Sequence, residues 1–174
     1  RNVQKWFDFS RQQSMVLYRL YQNREKYVLY VLSKDRLQNL AGNGASLVGC
    51  RDMGELEQEM AEGKSYPFDL MAVPSKKIKS EGKNSRRIAL RDPKECAAWL
   101  ARKGEQNGFE LLTVMPEPGG VVSGQRGTNR IIFDAVHYRG VLQITRADLF
   151  RQAWEKGIGP EKAYGMGLLL LVQG

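Results

Sequence analysis

From about residue 66 onward, strand-like and helix-like segments follow one another in an order that few folds satisfy. Phe68–Val73 reads as a short strand. Asp92-Pro93 opens a helix, because an Asp N-cap accepts from the free first-turn amides and proline suits the first helical position. Ala97, Ala98, Leu100 and Ala101 carry that helix to about Gly104. Phe109–Val114 is expected to be a strand, followed by the turn-rich stretch Pro116-Glu-Pro-Gly-Gly120 and by Ser123–Asn129. Ile131–His137 and Gly140–Thr145 predict a hairpin turning at Tyr138-Arg139. Arg146–Lys156 is helical, with Ala147, Phe150 and Trp154 spaced for burial. Gly157 ends it, and Gly167–Val172 forms a last core strand.

The resulting order, β, α, β, β, α, β with an extra hairpin arm, is the split βαβ of a ferredoxin-like or RRM-like domain. In the first half, Val3, Trp6, Phe7 and Phe9 sit near helical spacing. Met15–Tyr21 and Tyr27–Leu32 read as an antiparallel hairpin across the polar turn 22–26, and Gln38–Gly49 as an irregular loop. Asp52–Glu62 carries Met53, Leu56 and Met60 among acidic residues, an amphipathic helix. This half reads αββαβ, the same unit lacking its first strand and most of its first helix. The expected fold class is therefore α+β, two tandem ferredoxin-like domains spanning 1–65 and 66–174. No sequence repeat is visible, so the duplication rests on element order.

At 42% hydrophobic, 174 residues can bury a real core. The longest apolar run, Leu168–Val172, is far too short to span a bilayer, and no positive-then-apolar leader opens the chain, which begins at Arg1. Lys and Arg outnumber Asp and Glu by 27 to 19, a net charge of +8. Such an excess attracts polyanions, because neutralised phosphates release condensed counterions; a plain basic surface is the other reading. Cys50 and Cys96 are 46 residues apart with no C-x-x-C. That spacing fits reduced cytoplasmic thiols used in packing better than a disulfide framework or a zinc site. His137 is the only histidine, so no His pair, H-E-x-x-H site or two-His triad is available. In its strand-like segment it reads as a half-buried strand residue. No metal and no cofactor are expected.

Three segments could carry chemistry. Lys76, Lys77, Lys79, Lys83, Arg86, Arg87 and Arg91 are opposed only by Glu81, a local net charge of +6 over sixteen residues. Either this is a solvated basic loop, or it tracks phosphates along a backbone. It contains no aromatic residue, so base stacking is not its task, and helical RNA held by its backbone fits better than splayed single strand. Second, Val122–Arg130 places Gln125, Arg126 and Arg130 on a hairpin arm; the arginines suit bidentate contacts, or the segment is a mobile tip with incidental charge. Third, Gly157, Gly159, Gly165 and Gly167 bracket Lys162. Glycines permit close backbone approach with amides turned outward to an anion, although a connection between helix and strand favours glycine anyway. The remaining glycine patterns fail: Gly42–Gly49 lacks G-x-G-x-x-G spacing, and Glu81–Ser85 lacks the Walker order. A nucleotide-binding enzyme is disfavoured, and Ser-His-Asp catalysis would hang on His137 alone.

Gly157-Ile-Gly-Pro-Glu-Lys-Ala-Tyr-Gly-Met-Gly-Leu-Leu-Leu170 closely resembles the C-terminal signature of the CasE family, the CRISPR repeat-processing endoribonucleases of type I-E Cascade. Val73-Pro-Ser-Lys-Lys77 with Gly82-Lys83 and Arg86-Arg87, Ala97–Lys103 leading to Gly108-Phe109, and Tyr138-Arg-Gly-Val-Leu142 are similar to further family pieces. The resemblance runs from about Phe68 to Val172 and is thinner over Met15–Ser33. It implies binding of a repeat stem-loop on a basic face and metal-independent cleavage at the base of the stem by the 2′-hydroxyl. It also implies retention on the 3′ hairpin beside other Cascade subunits, the neighbouring backbone subunit among them. Val73 stands where the family often has Asn. The family's catalytic His, with a nearby Tyr, lies on the first helix about seven residues before a Phe. If Phe7 fills that place, the His falls just before Arg1, so the resemblance implies no catalytic residue within this chain. Two further readings stay open: a non-catalytic RNA-binding scaffold subunit, and a basic protein–protein module.

Overall fold

The computed structural model describes residues 15–23, 26–35, 45–78, 86–126 and 128–172. Among them run β1 (Leu17–Asn23), β2 (Lys26–Leu32), α1 (Gly54–Glu59), β3 (Ser65–Ala72), β4 (Ser75–Ile78), β5 (Arg86–Ala89) and α2 (Pro93–Gln106). They continue with β6 (Phe109–Arg126), β7 (Asn129–Ile144), α3 (Ala147–Lys156), a 3-10 turn at Lys162–Tyr164 and β8 (Leu169–Leu171). The helix expected at 1–10 lies outside the described residues, which in the first half contain β1, β2 and α1.

The main sheet has the order β6-β7-β3-β8, with every neighbouring pair antiparallel. Its opening strand β3 thus lies between the last strand and β7, and β6 takes an edge. Two helical crossovers, β3–α2–β6 and β7–α3–β8, make this the split βαβ that the element order predicts. Residues alternate along β3, so Tyr66, Phe68, Leu70 and Ala72 are buried while their neighbours are not. That face meets Trp99 and Leu100 of α2, Phe150 and Trp154 of α3, and Tyr138 and Leu142 of β7 in one core. Full burial of side chains this large is worth about 2–3 kcal/mol each relative to exposure.

α2 begins as its sequence demands: Asp92 accepts from the Glu95 amide at 3.0 Å, with Pro93 in the first turn. α1 adds Leu56 and Met60 to the same core. It has no basic residue in its last turn; Arg151 of α3 donates to the Glu57 and Met60 carbonyls at 3.1 and 3.0 Å. The Glu57 carbonyl also accepts from the Met60 amide at 3.3 Å, and a cation at this helix end complements the dipole.

The hairpin expected at Tyr138-Arg139 does not exist. β7 runs unbroken through Asn129–Ile144 and pairs with β6 from Phe109↔Ile144 to Arg126↔Asn129, so the chain reverses near residue 128. Tyr138 is fully buried and donates to the Cys96 carbonyl at 3.2 Å, a core position rather than a turn. Burial, with Cys96 beside it, raises its phenol pKa well above the ordinary value. Gly140 is there because a Cβ would strike the Thr113 carbonyl across the ladder. Nor does Pro116–Gly120 make a turn. β6 is an edge strand, where proline's missing donor is tolerated, and the local irregularity is absorbed as a bulge between Pro118 and Gly120. Two described parts of the basic stretch, Ser75–Ile78 and Arg86–Ala89, pair as the two-stranded ladder β4–β5.

Candidate nucleic-acid interface

Strand pairing decides where the cations go. In β4–β5, Lys77 stands directly opposite Arg87, whereas Lys76 faces Ile88. Successive strand residues point to opposite faces, and the Lys76 ammonium turns to Glu95 of α2 at 2.6 Å. Lys77 and Arg87 instead line an open cleft of about 480 Å³. Its other walls come from the last turn of α2, with Lys103, and from the glycine-rich segment, with Gly157, Gly159 and Lys162. No carboxylate among the described residues lines it. Like charges directly opposite one another repel, so an arrangement of this kind is at its most stable with an anion between its walls.

Gly159 lies flat on the Trp99 indole; a Cβ there would come within 3.0 Å of Cη2. The ring is only 4% exposed and stacks on Tyr138 in the core, so the cleft offers charge without an aromatic platform for bases.

The glycine-rich segment corrects one expectation. Its amides do not turn outward as a set: Gly157 donates to Ala153, Ile158 to Gly167, Gly165 to Lys162 and Gly167 to Met71, at 2.7–3.3 Å. Gly157 and Gly167 back onto each other, both at positive φ (78° and 85°), where any side chain would collide with the facing backbone. These glycines close the segment onto β3, and the anion-facing feature left to it is the cleft rim with Lys162.

The arm and the glycine-rich segment are one unit. The Tyr164 ring sits on Gly124 of β6 and meets Phe133 of β7 edge-on, centroids 5.9 Å apart. Beyond that contact, Gln125 pairs with Arg130, and both border an open depression of about 490 Å³ with Ser123, Gly124 and Thr128. Arg126 ends β6 opposite Asn129. Of the other anticipated cations, Arg86 begins β5, while Lys79 and Lys83 lie outside the described residues.

Gly165 rests against Tyr18 of β1, whose hydroxyl donates to the Ala163 carbonyl at 2.6 Å. One residue on, Arg19 is buried and ion-paired with Asp69 of β3. His137 of β7 completes the group, Nε2 lying 2.9 Å from Asp69 Oδ2 and 3.3 Å from Arg19 Nη2. The strand histidine is thus half-buried, as its segment suggests, but it is part of a three-residue polar cluster that sequence spacing does not show. Lys103 is the other residue missed; it follows Trp99 by one helical turn and lies far along the chain from the basic stretch. Cys96 is buried, and burial pushes its thiol pKa up; Cys50 is exposed and is no packing residue. Among the described residues no group of three His, Cys, Asp or Glu gathers as metal ligands, and no helix is long and apolar enough to cross a membrane.

The profile of a protein family described as CRISPR associated protein matches residues 2–173. The chain belongs to this family. Within it, the chain is 31% identical over 119 residues to the CRISPR-associated endoribonuclease Cse3 of Thermus thermophilus. That match covers 62% of the chain and 55% of the relative, little more than half the relative's length. A structure of Cse3 bound to a 19-nucleotide RNA superposes with a TM-score of 0.70 at 24% identity, covering 91% of this chain and 80% of that one. A chain of a CRISPR RNA-guided surveillance complex gives 0.72 at 27% identity, covering 95% and 80%. Cas6e from Escherichia coli gives 0.67 at 24%, covering 90% and 83%. The family members share the α+β, tandem ferredoxin-like architecture, and the resemblance to CasE carried by the Gly157–Leu170 signature stands.

Proposed function

We propose that this protein binds the stem-loop of CRISPR repeat RNA, cleaves the precursor without a metal ion and stays on the 3′ hairpin as a Cascade subunit. The observation that carries the reading is the convergence of Lys77, Arg87 and Lys162 on one cleft that no carboxylate among the described residues lines, beside an arm bearing Gln125, Arg126 and Arg130. The cleft takes the RNA backbone, since it presents charge but no stacking ring. The arm reaches the stem at Gln125 and Arg130. The names of the relatives agree with this: an endoribonuclease, an RNA-bound form and a surveillance-complex chain. In Cascade the neighbour is the adjoining backbone subunit. Free thiols at Cys50 and Cys96 fit work in the reducing cytoplasm.

The chemistry is a transesterification. The 2′-oxygen forms a bond to the adjacent phosphorus as the bond from phosphorus to the 5′-oxygen breaks, leaving a 2′,3′-cyclic phosphate and a 5′-hydroxyl. One group must take the 2′-hydroxyl proton, another must protonate the leaving oxygen, and cations must face the phosphorane oxygens. Lys162 serves the last role. No described residue is assigned the proton transfers, because His137 is held by Asp69 and Arg19.

That same observation favours a second reading, a non-catalytic scaffold that holds the hairpin. Repeat stem-loop RNA, incubated with the protein in excess EDTA, separates the two. Cleavage to a cyclic-phosphate product supports the enzyme; tight binding without cleavage supports the scaffold. Absence of salt-dependent affinity for the stem-loop removes both.

A further inference from the structure

The last turn of α2 forms the wall of the cleft facing β4–β5, and the sequence gives no reason to connect it with RNA. Lys103 is half-buried there, one helical turn after Trp99, and lines the same cleft as Lys77 and Arg87 of β4–β5. Its ammonium is held by a neutral partner, the Gln106 side-chain oxygen at 3.2 Å. Three cations elsewhere, Lys76, Arg91 and Arg139, each reach a carboxylate at 2.6 Å. None of Lys77, Arg87 and Lys103 has a carboxylate among the described residues within ion-pairing distance. An ammonium has three donors, and Gln106 takes one while fixing its position. What is left is a pre-oriented cation on the α2 wall of a cleft that no carboxylate among the described residues lines.

We propose that Lys103 is a phosphate ligand, so that the cleft grips the RNA backbone from two walls rather than along the β4–β5 ladder alone. This rests on the reading of the cleft as an RNA site. Gln106 acts through Lys103, as a positioning residue. The competing account of Lys103 is local: a cation in the last turn of a helix offsets the negative end of its dipole.

Salt dependence separates the two accounts. Stem-loop affinity is measured across 50–200 mM salt for the wild type, Lys103→Ala, Lys103→Arg and Lys94→Ala, a control on the first turn of α2 away from the cleft. Lys103→Ala is expected to weaken binding about five- to tenfold at 0.1 M salt and to lower the log–log salt slope by about one unit. Lys103→Arg keeps the slope, and Lys94→Ala matches the wild type. A Lys103→Ala protein with a lower Tm but an unchanged slope overturns the proposal and leaves only the helix-end role. If Lys77→Ala loses slope while Lys103→Ala does not, the RNA site stands and the second wall falls. If the wild type shows no salt-dependent affinity, the site itself is refuted, and this inference with it.

Discussion

Lys76 and Lys77 are neighbours of identical chemistry, and a strand's two-residue period gives them different tasks. Lys76 is neutralised by Glu95, while Lys77 faces the cleft opposite Arg87. Lys77→Ala is therefore expected to weaken stem-loop binding several-fold and reduce the salt slope by about one unit. Lys76→Ala should leave the slope nearly unchanged and lose only an exposed ion pair, worth about 0.5 kcal/mol. Parallel salt titrations of the two variants check this; equal slopes would return both lysines to the solvated surface. At this scale the sequence reveals that cations cluster but not which of them share a face, since that depends on strand register. Lys103 is less legible still. Its relation to Lys77 exists only once α2 packs against the sheet, and within its own helix it looks like any C-terminal lysine.

Among the elements, α2 and α3 were readable, whereas the arm was anticipated only at its tip, Val122–Arg130, and not in the length of its strands. α2 announces itself with Asp92-Pro93, and α3 with the spacing of Ala147, Phe150 and Trp154 and the stop at Gly157. The 18-residue β6 and 16-residue β7 contain Pro116, Pro118, Gly119, Gly120 and Gly140, residues that ordinarily mark turns. Their tolerance comes from tertiary facts: an edge position that spares proline's missing donor, and a close ladder contact that excludes a side chain at Gly140. Gly124 has a similar cause in the Tyr164 ring lying on it. Gly124→Ala is expected to displace that ring and cost about 1–3 kcal/mol through overpacking. Chemical denaturation of Gly124→Ala, Tyr164→Ala and the double variant checks it. The double should cost less than the sum of the singles, and strict additivity would mean the ring and the glycine are not coupled.

For the whole molecule, element order was enough to give the split βαβ, because two crossover helices on one antiparallel sheet leave few other topologies. The attachment of the β1–β2 hairpin to that sheet was not readable, because Arg19, Asp69 and His137 come from three distant strands. Asp69→Ala would leave the Arg19 guanidinium buried without its counter-ion and should cost about 3 kcal/mol. Adding Arg19→Met should recover much of that loss, as followed by urea unfolding. A single variant as stable as the wild type would show that the cluster does not hold the hairpin in place. The arm adds a mechanical consequence. Beyond the last pair with β3, Ala72↔Val136, seven residues of β7 extend roughly 23 Å, and a ribbon anchored at one end is a cantilever whose tip deflection rises with the cube of its free length. Tyr164 props this beam close to its tip, so only the last few residue pairs beyond Gly124 can bend freely. A load applied at Gln125 and Arg130 is then carried directly into the segment that holds Lys162, with little lost to flexure on the way.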